Sequence, residues 1–262
     1  MGLPSTVVLS ALEFDVLWEA QRFPRRHVAL DVPSPGVTLR QRADLVATAW
    51  AGLAERGLAH VGTGDRGRAE PELADRLSLL AHPERSVDGW IWTDREIRCL
   101  AVQSGRQAML GVVDRDEVWL IPARDSSFVE AAVSTAGQCP AGWGRSISVP
   151  QDTLRAADEA ACGDPKALIV QLEERDVPLG QAQVLAAMFT GIVGRGQFGA
   201  ERAGAAGRVP RRADRVVAFH DTDRGRYLYV TRRSADSRLW ATVTPADNRG
   251  IASSVWELLD EA

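Results

Sequence analysis

The chain has 262 residues, 45% of them hydrophobic, and a formal net charge of −4. That supplies enough apolar surface for a substantial core and excludes a disordered chain, while the charge argues against a general nucleic-acid binder. Lys166 is the only lysine, a skew that most simply reflects a GC-rich genome and that also gives a surface suited to bidentate pairing with partner carboxylates.

Residues 6–9 read as a short strand or extended lead-in. Ser10 with Glu13 makes a capping-box pattern opening a helix through Leu12, Val16, Leu17 and Ala20. Residues 28–32 are β-like, and Pro33-Ser-Pro-Gly36 is a turn. Leu45, Ala49, Trp50 and Leu53 share one face of a helix predicted over residues 39–56 and stopped by Gly57. A flexible loop at 62–67 and a helix at 72–80, ended by His82-Pro83, come next. A β-meander follows, with strands at 89–93, 97–103, 107–113 and 117–121 and turns at Ser104-Gly105 and 114–116. A helix from Ser126 leads to a connection at 137–144.

After Pro150 the same kinds of element return. A helix follows the proline, and another is expected over about 180–193. Residues 194–210, rich in Gly, Ala and Arg, read as a mobile loop. Strands at 216–220, 226–231 and 239–244 then precede a last helix started by Asp247 or Asn248, with Ile251, Val255, Leu258 and Leu259 as its apolar stripe. Ser10-Ala-Leu-Glu13 and Asp31-Val-Pro33 in one half answer to Ser148-Val-Pro-Gln151 and Asp176-Val-Pro178 in the other. Repetition at this long period predicts a quasi-twofold body rather than a solenoid. The expected fold class is therefore α+β rather than alternating βαβ, with antiparallel meanders and halves about 1–140 and 145–262.

Catalytic signals are weak. Cys99, Cys139 and Cys162 fit neither a disulfide framework nor a C-x-x-C metal site. Gly194-Arg-Gly-Gln-Phe-Gly199 fits G-x-G-x-x-G, but a helix precedes it and a loop follows, the wrong order for a dinucleotide site. A helix stop and tight turn is the better reading. His220-Asp221 points its two side chains to opposite faces of a strand, and His27, His60 and His82 show no metal spacing. No cofactor, metal or catalytic residue is expected. Residues 39–68, ending in the basic loop Asp65-Arg-Gly-Arg68, have a winged-helix look, so a DNA-binding regulator is the alternative of another class. Glu55, Asp65, Glu70 and Glu72 dilute that charge. Eight tryptophans stand against two tyrosines, with Trp90 and Trp92 on one strand face, so aromatic groups left outside the core would mark a protein-binding patch.

Four segments in order carry a family resemblance: the run at 8–19, Asp31-Val-Pro-Ser-Pro-Gly36, Gly194-Arg-Gly-Gln-Phe-Gly199 and Asp221-Thr-Asp-Arg-Gly-Arg-Tyr-Leu228. From about residue 7 to 260 the chain resembles the EspG family, the ESX secretion-associated proteins of actinobacterial type VII secretion. The resemblance implies a cytosolic chaperone, not an enzyme, that binds the hydrophobic tip of a PPE subunit in a PE–PPE or PPE-like heterodimer. It implies one domain over 1–262 in which a central antiparallel sheet carries two helical bundles, with a groove between the sheet and the C-terminal bundle. It implies no nucleic-acid or membrane partner, and leaves a weak homodimer of the free protein open. The absence of a basic leader and of about 18 uninterrupted apolar residues agrees with a cytosolic expectation. On that footing the partner anchor is expected on the second meander, at Leu228, Val230, Trp240 and Thr242, with Arg226 and Arg238 at the rim. Tyr227, Tyr229, Leu239 and Val243 would then pack on helices, though alternation alone allows the two sets to be exchanged.

Overall fold

The computed structural model describes residues 3, 5–62, 67–204 and 209–262. Two compact units divide the chain: one of Met1–Gly89, Glu96–Ala132 and Arg202–Pro210, the other of Trp90–Arg95, Val133–Glu201 and Arg211–Ala262.

In the first unit β1 (Val7–Ser10) runs into α1 (Ala11–Ala20), and the capping box forms as read. The Ser10 Oγ accepts from the Glu13 N–H at 3.2 Å, while the Glu13 carboxylate accepts from the Ser10 N–H at 2.7 Å. Residues expected as β-like instead make a 3-10 turn, Val28–Leu30, capped by the His27 ring nitrogen. α2 (Leu39–Glu55) is capped by Thr38 and ends before Gly57, whose φ of 67° is the left-handed conformation that a helix stop favours. β2 (Ala59–Val61) and β3 (Gly67–Ala69) form a hairpin, and α3 (Pro71–Ala81) opens on a proline at its first position. The meander is β4 (Arg85–Trp92), β5 (Glu96–Ser104), β6 (Gln107–Asp114) and β7 (Glu117–Ala123), after which α4 (Phe128–Ser134) leaves. Strand order is β1-β7-β6-β5-β4, with β1 antiparallel to β7. One face of this sheet is closed by Leu17, Leu30, Leu53, Leu73, Leu77 and their neighbours, all buried in one core.

In the second unit β8 (Ile147–Pro150) feeds α5 (Gln151–Ala161), α6 (Pro165–Glu173) and α7 (Leu179–Met188). Then come β9 (Ile192–Arg202), β10 (Arg211–Arg212), β11 (Val217–Thr222), β12 (Gly225–Arg233), β13 (Leu239–Pro245) and α8 (Asn248–Glu261). Strand order is β9-β11-β12-β13-β8, with β8 antiparallel to β13. β1 thus pairs with the last strand of the first meander, and β8 with the last strand of the second. α5, α6 and α7 bury Leu154, Leu168, Leu172 and Leu185 against Tyr227, Ala241 and Val243 on one sheet face. α8 lies against β11 on the other face, where Ile251, Val255, Leu258 and Leu259 are buried as the apolar stripe requires.

The largest correction concerns residues 194–202. They are the long strand β9, not a mobile loop, and α7 ends at Met188 rather than 193. Gly191, with φ 72°, is the left-handed residue after the helix. Residues 205–208 of that expected loop, like 63–66 of the loop at 62–67, lie outside the described residues.

Candidate functional site

Alternation along β12 and β13 sets two faces. Tyr227, Tyr229 and Val243 pack toward α5–α7 as expected, whereas Leu239 stays 38% exposed. The opposite face, expected to carry the anchor, is largely closed. Leu228 and Val230 are 5% and 8% exposed. Only the β13 members reach the surface: Trp240 is exposed, and half-buried Thr242 meets the Ser148 hydroxyl at 2.8 Å. Arg238 is exposed, its Nη2 3.5 Å from Asp152.

Arg226 is corrected outright, because its side chain is fully buried. Nε and Nη2 grip the two Asp221 oxygens at 2.6 and 2.8 Å. Nη2 also donates to the Ala136 carbonyl at 2.8 Å, and Nη1 to the Gly137 carbonyl and the Asn248 side chain. The guanidinium lies 4.6 Å from the Phe219 ring centroid. Buried charges are tolerated when paired and fully hydrogen-bonded, and this one is both. Beside it, burial and the Asp221 carboxylate push the Cys139 thiol up, so it stays protonated. Arg226 therefore ties the 136–142 connection to β12, where Gly142 donates to its carbonyl at 2.9 Å.

The open surface lies on the other face, where α7 gives way to the sheet. A groove of about 420 Å³ is walled by Phe189 and Ile192 and floored by Trp92, Arg195, Gln197, Ala218, His220 and Tyr229. The floor follows from register. His220 pairs across β11 with Arg195 on β9 and Tyr227 on β12, and Ala218 pairs with Gln197 and Tyr229, so these side chains share a face. Trp92 stacks on Trp90, centroids 6.3 Å apart, and Arg195 sits 5.8 Å over the Trp92 ring. The glycines make this possible from behind. A Cβ on Gly196 would come within 2.5 Å of the Phe219 ring and 2.8 Å of the Trp90 carbonyl, so glycine lets β9 lie close to both. The G-x-G-x-x-G run thus serves strand packing. The dinucleotide reading falls with it, since no helix opens after these glycines.

His220 is sandwiched between Phe189, at 5.0 Å, and Tyr227, at 5.4 Å. Its Nε2 donates to the Met188 carbonyl at 2.8 Å, which fixes the tautomer because a carbonyl only accepts. Burial pulls its pKa below the ordinary value of 6.5, so the ring is neutral at pH 7. Burial likewise lifts the Tyr229 phenol above its usual range. The groove is therefore an aromatic trough with one fixed charge, Arg195. It was not legible as a site because β9 read as a loop, yet a signal existed: Gly194 and Gly196 alternate with Val193, Arg195 and Gln197 at the strand period.

A larger cleft of about 1050 Å³ lies among Arg211, Arg215, Arg232, Glu257 and Glu261. Its charges are largely spent on one another. Arg215 grips Glu261 through two bonds at 2.6 and 2.9 Å, and Arg232 pairs with Glu257. In the winged-helix-like segment His60 pairs with Glu70, while Asp65 and Arg66 lie outside the described residues.

A profile of the EspG family matches residues 10–257. Comparison with curated proteins finds no significant match. Among solved structures, the chain is similar to the Mycobacterium tuberculosis type VII secretion system chaperone EspG5, determined in complex with a PE25–PPE41 dimer. That likeness has a TM-score of 0.75 at 14% identity and covers 98% of this chain and 96% of the other. Neither comparison offers a counterpart for duplex binding.

Proposed function

The chain belongs to the EspG family, and from that membership we propose that it is a type VII secretion chaperone, acting in the cytoplasm without catalysis, that caps the hydrophobic tip of a PPE-type subunit in a PE–PPE heterodimer. The observation that carries the placement is the groove beside α7. Trp, Tyr and Arg are the residue types that anchor protein interfaces, and Trp92, Tyr229 and Arg195 stand together there with Phe189 and Ile192. Ile192 is 48% exposed and its neighbour Val193 is exposed too, an apolar surface that a client tip would cover. An aggregation-prone tip seated in this trough exchanges two water-exposed apolar surfaces for one buried interface. Among the described residues no helix is long and apolar enough to cross a membrane.

The test is co-expression with the PE–PPE pair encoded nearest to it, followed by size-exclusion chromatography with mass determination. A stable ternary complex, with the client soluble only in its presence, is the expected result. Client that stays equally soluble alone, with no shared peak, would remove the proposal. Phe189→Asp, on the groove wall, should abolish the complex while Asp152→Lys, beside Arg238, should leave it intact.

A further inference from the structure

Resting on the chaperone reading, we infer that the groove selects a client whose apolar anchor is accompanied by a carboxylate, and that Arg195 is the residue that reads it. The starting point is an unused charge. Arg195 is exposed on β9 with its guanidinium over Trp92, and among the described residues that ring is its partner. Arg226, Arg215, Arg212 and Arg232 each hold a carboxylate. Arg195 does not, and its exposed guanidinium stands in water beside the apolar walls of the trough.

The neighbours keep that charge available. His220 faces it directly across the ladder, and burial holds that imidazole neutral, so it neither repels the guanidinium nor competes for an anion. Tyr229 is neutral as well, and Gln197 adds an amide able to donate beside the arginine. Asp221, the adjacent acid on β11, points to the opposite face and is taken by Arg226.

An exposed guanidinium held over an indole keeps its N–H fork free, and that fork matches one carboxylate with two parallel bonds. Once the client displaces water from the trough, such a charge-assisted pair strengthens. A polyanion fits poorly, because the groove offers a single cation and the chain carries a net charge of −4. The walls set the rest: Phe189 and Ile192 take an apolar side chain, so the carboxylate must lie beside that anchor on the tip, within reach of Arg195. A tip with the apolar anchor but no neighbouring acid would be a poor client.

The experiment measures capture of the cognate PE–PPE pair by wild type, Arg195→Lys and Arg195→Glu, with thermal melts as a folding control. Each Asp and Glu at the client tip is also changed singly to Arg. Arg195→Glu should melt as wild type does yet bind at least about tenfold more weakly, and Arg195→Lys should fall between, having lost the fork. One acid-to-Arg client should fail with wild type and be recovered by Arg195→Glu, the sign of a direct pair. Capture by Arg195→Glu equal to wild type, or loss that no client swap repairs, would overturn the inference while leaving the chaperone role in place. Failure of wild type to capture any pair would overturn both.

Discussion

Arg226 places all five guanidinium N–H groups, on Asp221, Asn248 and two main-chain carbonyls, in a site closed to water. Removing the cation would strand the Asp221 carboxylate, so Arg226→Met should lose about 3–5 kcal/mol of stability, read as a drop in the urea midpoint. Arg238, on the exposed end of β13, should tolerate reversal to Glu with a change within about 0.5 kcal/mol. The same alternation that placed these residues in the sequence could not separate them. Arg226 and Arg238 are both arginines beside a β-turn, and only the position of α8 and of residues 136–142 makes one structural and the other superficial. The glycine run marks Gly196 in the sequence, but not the ring and carbonyl packed against it. Gly196→Ala would drive a methyl into Phe219 and the Trp90 carbonyl, and should cost about 1–3 kcal/mol with normal expression of the remaining fold.

At the level of elements, local signals were the readable ones. The Ser10–Glu13 box, the Gly57 stop, the two-residue turn at Gly105 and the Asp247 cap of α8 are all set by residues within one turn of each other. Ser10→Ala should destabilise by about 1 kcal/mol, measured by equilibrium unfolding, since the Glu13 N–H then lacks its acceptor. β9 was not readable, because its Gly, Arg and Gln lack the β-branched signature and its strand character comes from partners on either side. α6 is also missing from the sequence expectation, although Asp164 caps it and Pro165 opens it, a start signal in plain view. The groove needed both: without β9 its floor has no Arg195 or Gln197, and without the true end of α7 its wall has no Phe189.

For the molecule as a whole, acid sensitivity has a named source. The folded-state pKa of His220 lies below its ordinary 6.5 because burial disfavours the cation. Its contribution to stability is fully present above about pH 6.5, and is lost as the pH falls through that value toward the depressed folded one, where the unfolded chain takes up a proton that the native state refuses. Melting temperature should therefore fall between pH 7 and pH 5, and His220→Gln should flatten that slope while lowering the starting value. An unchanged slope would place the acid response elsewhere.

The stacked indoles of Trp90 and Trp92, centroids 6.3 Å apart with planes 25° from parallel, have a further consequence. Two identical chromophores held so close and at a fixed angle share their excited states, and one of them forms the groove floor beneath a guanidinium. Near-ultraviolet dichroism of the protein should carry a paired band that Trp90→Phe erases, and filling the trough should shift it. Occupancy then becomes visible in the spectrum itself, with no dye attached to either protein.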